Sequence, residues 1–311
     1  MEKIKTVFVV GPTASGKTEL GIKIAKKYGG EIISADSMQI YKDMSIASAS
    51  PTSEERSQVK HHLVEFLEYG DNYTVADYVS VARSKIFEIN NKGKLPVIVG
   101  GTGLYINSLA DNIEFTAEQT DFKLRERLQK QMQEIGADKM LELLREIDPD
   151  TATKLHPNNK RRIIRAFEIY YLTGITKSKQ DLISRQNESP INPVMIGITY
   201  RDRQLLYERI EKRVEKMLEN GLVDEAKRAY DRFGGIFTGS SQAIGHKELF
   251  DYFDGKCTLE NAVEVLKRST KRYAKRQMTW FSKDERIKWI YADETPDVFE
   301  MAERIFKEEQ I

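Results

Sequence analysis

Apolar residues form short continuous runs along much of the chain, and these runs predict an α/β fold. Residues 6–10, 95–100 and 194–199 have the length and the β-branched content of buried strands. Glu31–Ser34 is a fourth such run, and a helical stretch that ends at Lys27 separates it from the first. This order of strand, loop, helix and strand is typical of a doubly wound parallel sheet flanked by helices.

Between the predicted strands at residues 95–100 and 194–199, the apolar residues recur at helical spacing instead. The residues with this spacing are Leu124, Leu128 and Ile135, followed by Ile163, Phe167 and Tyr170. Residues 116–189 contain no strand pattern, so we expect an all-helical insertion domain there, with Gly174 ending its second long helix. Another long helix is expected at residues 202–219, with one apolar side made of Leu206, Ile210, Val214 and Met217.

Composition and charge exclude several classes of protein. The 311 residues include 49 basic and 48 acidic side chains, so the net charge of +1 does not indicate a nucleic-acid-binding protein. The single cysteine, Cys257, excludes an intrachain disulfide. No apolar run approaches the roughly 18 residues of a membrane-spanning helix, and the N-terminus has no signal-peptide pattern. We therefore expect a monomeric cytoplasmic protein with no membrane partner.

Residues 11–18, GPTASGKT, match the phosphate-binding pattern G-x-x-x-x-G-K-[ST] between a predicted strand and a predicted helix. The backbone amides of such a loop surround phosphate oxygens, and the helix N-terminus adds the positive end of its dipole. Lys17 supplies a full charge, and the Thr18 hydroxyl can bind Mg²⁺. The sequence thus predicts a P-loop NTPase-like core, formed by residues 1–115 and 190–311, around the insertion at 116–189.

A P-loop alone does not fix the reaction, because hydrolysis, phosphoryl transfer and diphosphate binding all use it. ATPases usually end a later strand with an aspartate that binds magnesium, whereas here the third strand runs into GGTGLY, residues 100–105, without a carboxylate. Asp36 follows the second strand, at the edge of the sheet where open α/β folds bind ligands. It could be a general base, a magnesium ligand, or a residue that caps a turn or helix.

Five segments of the sequence, taken in order, resemble those of the tRNA dimethylallyltransferases: GPTASGKT, ADSMQIY, GGTGLY, HPNNKRRIIRA and KRQMTWF. The resemblance extends over essentially the whole chain. It implies transfer of a dimethylallyl group from dimethylallyl diphosphate to N6 of the adenine on the 3′ side of the anticodon in tRNA, with release of diphosphate. It also implies Mg²⁺ as a cofactor. No C-terminal Cys/His module of the eukaryotic kind is recognisable, so we expect a bacterial-type enzyme.

The resemblance assigns the P-loop to the allylic diphosphate. The residues that it implies as ligands are Gly11, Thr13, Ala14, Ser15, Gly16, Lys17 and Thr18, together with Arg203 and Arg209 of the predicted long helix. Asp36 is expected to accept a proton from the adenine amine or to orient that amine. Thr102 is expected to lie near both Asp36 and the adenine. Lys17 and Thr18 complete the expected catalytic set, and Thr18 is also the expected magnesium ligand.

Two clusters of basic residues favour RNA binding where the net charge does not. Residues 154–185 include eight basic and two acidic residues, and residues 267–288 include nine and two. Such runs are usually solvated faces, but the resemblance implies contact with the tRNA anticodon stem-loop. The implied contacts are Asp36, Ser37, Met38, Gln39, Thr102, Arg125, Lys160, Arg161, Arg162, Ile163, Ile164, Gln242 and Gly245. Ser282 stands where the family commonly has a basic residue, so a phosphate contact there is either lost or supplied by Lys283.

Three alternatives remain open at the level of sequence. An adenine-nucleotide isopentenyltransferase of the cytokinin-forming type would use the same P-loop and aspartate, although a mononucleotide needs no long basic insertion. A P-loop nucleotide kinase would bind ATP tightly and transfer a phosphoryl group, and an RNA-binding NTPase would bind tRNA without forming a product. No zinc is expected, because His61 and His62 lack metal-ligand spacing to other histidines or to Cys257.

Overall fold

The computed structural model describes residues 3–115, 121–184, 186–233 and 243–309. The chain forms two compact units, one made of Met1–Ala110 and Pro190–Ile311, the other of Asp111–Ser189. The boundary expected at residue 116 falls outside the described residues. No helix in the described part of the chain is long and apolar enough to cross a bilayer.

A six-stranded sheet forms the centre of the first unit, and all of its strand pairs are parallel. Its strands are β1 (Ile4–Val10), β2 (Glu31–Ser34), β3 (His61–His62), β4 (Pro96–Gly100), β5 (Ile191–Thr199) and β6 (Lys288–Tyr291). They lie in the order β3-β2-β4-β1-β5-β6. Nearly every residue of the central strands is buried, as expected when helices cover both faces. The predicted α/β fold is confirmed.

The strands at the two edges of the sheet were not predicted from the sequence. β3 has only 2 residues and β6 has 4, so neither presents an apolar run long enough to recognise. β1 and β5 are both longer than predicted, because they pair from Ile4 and Ile191 onward. The second pair, Lys5 with Asn192, is polar, and Pro193 follows it in β5, so the apolar pattern is interrupted there.

Helices pack on both faces of this sheet. Before the second unit come α1 (Lys17–Lys27), α2 (Ser53–Gln58), α3 (Val75–Asn91) and α4 (Gly103–Ala110). Helices α5 to α9 belong to the second unit. The helices that follow it are α10 (Arg203–Glu219), α11 (Leu222–Phe233), α12 (Lys247–Phe253), α13 (Leu259–Phe281) and α14 (Val298–Glu308). Phe8 and Val10 of β1 join the core under α3 and α4, whereas Val7 and Val9 join the core under α1 and α14. This alternation is the period of a strand buried on both sides.

The second unit is helical throughout its described residues. Its helices are α5 (Phe122–Ile135), α6 (Ala137–Ile147), α7 (Pro149–Ala152), α8 (Lys160–Thr173) and α9 (Lys177–Ile183). Gly174 ends α8 at φ 70°, as predicted. The apolar side expected for α5 was partly wrong. Leu124, Leu128 and Met132 are buried, but Ile135, the last residue of the helix, is 41% exposed.

Candidate active site

The loops that follow β1, β2 and β4 lie together at the carboxyl ends of the strands, because the strands are parallel and end on the same side. The loops after β2 and β4 are hydrogen-bonded to each other directly. The Thr102 N–H donates to the carbonyl of Ala35 at 3.1 Å, and the Ser37 N–H donates to Thr102 Oγ1 at 3.0 Å. The Thr102 hydroxyl in turn donates to Ser37 Oγ at 3.3 Å. The structure thus brings the loops of Asp36 and Thr102 together.

The P-loop has a backbone conformation that only small residues allow. Gly11 adopts φ 150°, and a Cβ there would lie 2.3 Å from the carbonyl oxygen of Ile198. Gly16, at φ 100°, precedes α1 and offers no side chain to cap it. The first N–H groups of α1 are therefore not satisfied by a cap, which is how helix N-termini bind anions. Ala14 also adopts positive φ, at 63°, and its carbonyl accepts from Arg209 Nε at 2.9 Å.

Lys17 lies in a crowded cationic environment. Its ammonium donates to the carbonyl of Pro12 at 3.2 Å. Burial, and repulsion from Arg213, lower the pKa of Lys17 to about 8, although Asp36 partly opposes the shift. Burial likewise lowers the pKa of Arg213, which Asp36 raises in part. Two desolvated cations beside an uncapped helix end favour a ligand with several negative charges.

Of the two arginines predicted in α10, the structure brings only Arg209 to the P-loop. Arg203 is exposed at the first turn of α10 and lines neither of the cavities described below. Arg213, one turn after Arg209, lines both cavities. It was not among the site residues predicted from the sequence. Its spacing of i+4 from Arg209 places it on the same helix face, which is a signal that the sequence offered.

Asp36 has one of the roles that the sequence left open, that of capping a turn, and it also lies at a cavity wall. Its Oδ1 accepts the Met38 N–H at 2.9 Å, so it caps the turn after β2. It also lines the same cavity as Lys17 and Thr18. Because one oxygen is held by the turn, the carboxylate has a fixed orientation. Asp36 therefore both holds the turn after β2 and lines the cavity.

Two residues of α13, Tyr273 and Gln277, complete the site. Burial, and the nearby Asp36, raise the pKa of the Tyr273 phenol, which is hydrogen-bonded to Thr102. Gln277 is 5% exposed; its Oε1 accepts the Thr13 N–H at 2.8 Å, and its Nε2 donates to the Gly101 carbonyl at 3.0 Å. Gln277 belongs to the KRQMTWF segment. Neither its contacts nor those of Tyr273 were predicted from the sequence.

The glycines of the GGTG segment leave room for α13. A Cβ at Gly101 would lie 2.2 Å from Gln277 Nε2, and one at Gly103 would lie 2.2 Å from the Trp280 ring. Trp280 is further held by its Nε1, which donates to Asn107 Oδ1 at 3.1 Å. The GGTGLY and KRQMTWF segments are therefore packed against each other.

Two cavities share the P-loop as a wall. The small cavity, of about 260 Å³, is lined by Lys17, Thr18, Asp36 and Arg213 and also by apolar residues, among them Val214, Met217, Ile244 and Leu266. The large cavity, of about 850 Å³, is lined by Lys17, Thr18 and the basic residues of α10. Lys17, Thr18 and Arg213 belong to both. An anion at the P-loop would thus face basic residues together with the apolar side chains of the small cavity.

A buried acid fixes the outer wall of the small cavity. The Glu225 carboxylate, from α11, accepts the Ile46 N–H at 2.8 Å and the Ala47 N–H at 2.9 Å. It also bonds His246 Nε2 at 3.0 Å, and both side chains are almost fully buried. Gly245 adopts φ 114° and packs against Ala47. Its neighbours Ala243 and Ile244 line the cavity, while Gln242 lies outside the described residues.

The residues predicted to contact tRNA after β2 line the small cavity. These are Ser37, Met38 and Gln39. The Gln39 side chain is already bonded on both ends, because its Oε1 accepts from Ser34 Oγ at 2.8 Å and its Nε2 donates to the Ala49 carbonyl at 3.1 Å. Gln39 therefore shapes the wall of the cavity.

In the second unit, the predicted RNA-binding residues separate into two groups. Lys160, Arg161 and Arg162 are exposed in the first turn of α8, and none has an ion-pair partner among the described residues. Cations are unfavourable at the positive end of a helix, so helix stability does not explain them. Ile163 and Ile164, by contrast, are 0% and 8% exposed in the core of the unit. We correct the prediction for these two residues, whose side chains cannot reach a ligand.

Arg125 of α5 also has a structural partner. Its guanidinium binds both oxygens of Glu168, whose side chain is 3% exposed. Arg165 contacts the same carboxylate at 3.3 Å. Burial alone would raise the pKa of Glu168, but the hydrogen bonds from the two arginines lower it. Arg125 thus has a structural role inside the helical unit, and its predicted RNA contact stays a prediction.

The fold and the site define an α/β enzyme with a phosphate-binding P-loop at the carboxyl ends of its parallel strands. The family model of the IPP transferases matches residues 39–284. The tRNA dimethylallyltransferase of Bacillus subtilis is 49% identical over 296 residues, 95% of this chain and 93% of that protein. That of Caldanaerobacter subterraneus is 44% identical over 309 residues, 98% and 97% of the two chains. The chain belongs to the IPP transferase family.

Solved structures agree with this assignment. A tRNA isopentenylpyrophosphate transferase from Bacillus halodurans has a TM-score of 0.72 and 41% identity, covering 99% of this chain and 98% of its own. A eukaryotic dimethylallyltransferase acting on tRNA has a TM-score of 0.82 and 29% identity, covering 97% and 78%. The P-loop NTPase-like core is thereby confirmed, and a prenyl transferase of the tRNA-modifying kind is favoured over the three alternatives.

Proposed function

We propose that this enzyme transfers a dimethylallyl group from dimethylallyl diphosphate to N6 of the adenine 3′-adjacent to the anticodon in tRNA and releases diphosphate. One observation carries the proposal. Lys17, Thr18 and Asp36 line a single small cavity together with apolar side chains such as Val214, Ile244 and Leu266. Such a cavity has a place for a diphosphate, an acceptor for a proton, and space for an adenine and a short prenyl group.

The P-loop is proposed to stabilise the leaving group. The bond from the allylic carbon to oxygen breaks with much positive charge on the carbon and negative charge on the departing diphosphate. Interactions that strengthen as this charge develops accelerate the reaction most. Lys17, Arg213 and the N–H groups at the start of α1 are placed to provide them.

Magnesium fits this arrangement as a proposed cofactor. No cluster of three or more His, Cys, Asp or Glu residues in the described part of the chain could hold a metal ion by itself. Mg²⁺ usually takes one or two protein groups together with substrate phosphates and water. The Thr18 hydroxyl would be such a group, with Asp36 on the same cavity wall. When bound, the ion would neutralise charge on the diphosphate.

Asp36 is proposed to position the adenine amine and to accept its proton as the new bond forms. The amine is a weak nucleophile, so its alignment with the allylic carbon matters as much as its deprotonation. Thr102 and Tyr273 adjoin Asp36, and their hydrogen bonds restrict the loop that carries it. The apolar walls reduce access of water, which would otherwise compete for the allylic carbon.

The anticodon stem-loop is proposed to bind exposed basic residues, with the target adenine turned out of the loop. In α8 these are Lys160, Arg161 and Arg162. In α13 and just after it they are Arg268, Arg272, Lys275, Arg276 and Lys283, all exposed and without an ion-pair partner in the described ranges. Arg276 also lines the small cavity. Lys283 is thus available to make the contact that Ser282 does not.

The test is incubation of the protein with Mg²⁺, dimethylallyl diphosphate and unmodified tRNA whose anticodon is followed by adenine. Nucleosides from the digested tRNA are then weighed by mass spectrometry. We expect a five-carbon addition to that adenosine and none when AMP replaces tRNA. Modification of AMP would favour the free-nucleotide alternative. Turnover of ATP without prenyl transfer would favour the kinase or NTPase alternative.

A further inference from the structure

Helix α10 carries its charged residues on two separate faces. Glu211 and Glu215 form ion pairs with lysines of α13. Four of its five basic residues follow the spacing i, i+3, i+4 and i+7, which defines a single helix face. They are Arg209, Lys212, Arg213 and Lys216, and all four line the large cavity.

The carboxylates that line the large cavity are already bonded to other groups. Glu19 pairs with Lys23 at 2.7 Å, and Glu65 pairs with Arg56 at 2.7 Å. Glu55 accepts the Thr52 N–H at 2.8 Å in the capping box of α2. None of the three is paired with a basic residue of α10 among the described residues. The cationic face of α10 is therefore left uncompensated in this cavity.

This face holds more positive charge than the P-loop itself contacts. Arg209 bonds the P-loop backbone, and Arg213 adjoins Lys17. Lys212 and Lys216 are exposed, and neither has an ion-pair partner within the described ranges. At a rise of 1.5 Å per residue, Lys216 lies about 10 Å beyond Arg209 along the helix. The two lysines continue the row of cations from the P-loop into the large cavity.

We propose that Lys212 and Lys216 form an entry site for the diphosphate group. They collect dimethylallyl diphosphate from solvent before it reaches the P-loop, and they receive diphosphate after the transfer. The inference rests on the proposed function. A row of like charges in a cleft raises the local concentration of an oppositely charged substrate and its rate of association. The row leads to Lys17 and Thr18, which favours the diphosphate over an RNA phosphate as its ligand.

The test compares two double variants that lose the same charge. Lys212→Gln with Lys216→Gln removes the proposed entry site. Lys60→Gln with Lys307→Gln is the control, since both lysines are exposed and line neither cavity. We expect the first variant to lower kcat/KM for dimethylallyl diphosphate about fivefold at low salt and to flatten its salt dependence. Its kcat/KM for tRNA and both values of the control should match the wild type.

Two results would overturn the entry site. A lower kcat/KM for tRNA with an unchanged value for dimethylallyl diphosphate would assign the lysines to the RNA backbone. Equal salt dependence in both variants would leave them without a role in association. Calorimetric titration with Mg²⁺ and inorganic diphosphate provides a readout that does not need transfer. A wild type without transfer activity would refute the proposed function, while weaker diphosphate binding by the first variant would still support the entry site.

Discussion

Gln277 Oε1 accepts the backbone N–H of Thr13 at 2.8 Å, across 264 residues of sequence. The other end of the same amide donates to the carbonyl of Gly101. One buried side chain of α13 therefore joins the P-loop to the loop after β4. The conformation of the P-loop depends on a residue far from its own motif.

Replacing Gln277 with methionine should loosen the P-loop. The new side chain has similar length but leaves the Thr13 N–H and the Gly101 carbonyl without partners, at a cost of about 2 kcal/mol or more in the free energy of unfolding. We also expect KM for dimethylallyl diphosphate to rise. Urea denaturation and steady-state kinetics measure the two effects. Thr279→Ala, an exposed change on the same helix, is the control, and equal behaviour of both variants would show that the bridge is unimportant.

Two substitutions of Asp36 separate its roles. Asp36→Asn keeps an acceptor for the Met38 N–H but loses basicity, whereas Asp36→Ala loses both. If Asp36 accepts the proton, both variants should lose about 10² to 10⁴ in kcat, with tRNA affinity retained in Asp36→Asn. Single-turnover rates and filter binding measure this. A near-normal rate for Asp36→Asn beside a slow Asp36→Ala would restrict the residue to capping the turn.

Binding of dimethylallyl diphosphate should weaken above pH 8. Lys17 in the free protein has a pKa of about 8, so it is charged below this pH and neutral above it. The bound diphosphate favours the charged form, so Kd should be flat below pH 8 and rise by up to about tenfold per pH unit above it. The Lys17→Arg variant does not titrate in this range and should show no such rise if it binds. A flat wild-type profile from pH 7 to 9.5 would contradict the assignment.

Glu31 should stabilise the fold in a way that acid removes. Burial would raise its pKa, but hydrogen bonds from Lys94 and His62 outweigh burial and lower the pKa of Glu31 to about 2. A depressed carboxyl pKa stabilises the folded state above the unfolded value and loses this effect as pH falls toward 2. Glu31→Gln should cost about 2 kcal/mol at pH 7, and the difference from wild type should shrink below about pH 4.5. A constant difference in urea denaturation from pH 7 to pH 3 would refute this.

Arg125 and Arg161 should respond oppositely to substitution. Arg125→Met removes the main partner of buried Glu168 and should destabilise the protein by about 1 to 3 kcal/mol, without changing the salt dependence of tRNA binding. Arg161→Gln should leave stability unchanged and reduce the slope of log K against log salt by about 0.7 to 0.9. Thermal unfolding and salt-dependent tRNA binding give both readouts. A reduced slope in Arg125→Met would place that residue in the RNA-binding set.

Several features were predictable from the sequence because each rests on a local pattern. Buried parallel strands are continuous apolar runs, so the central strands could be recognised. The P-loop depends on glycines at fixed spacing, and Gly174 ends a helix by adopting positive φ. Asp36 could be placed at the edge of the sheet because it directly follows a strand. In each case the physical cause lies within a few residues of the feature.

Other features were decided by tertiary structure alone. Tyr273 and Gln277 reach Thr102 and the P-loop from α13, whose own sequence shows only ordinary amphipathic spacing. The burial of Ile163 and the ion pair of Arg125 with Glu168 could not be predicted, because the sequence does not show which neighbour buries or pairs a side chain. The chain itself determines which residues form a strand, a helix or a glycine turn. Only packing determines which distant side chains share a cavity, since burial and charge pairing depend on residues far apart in sequence.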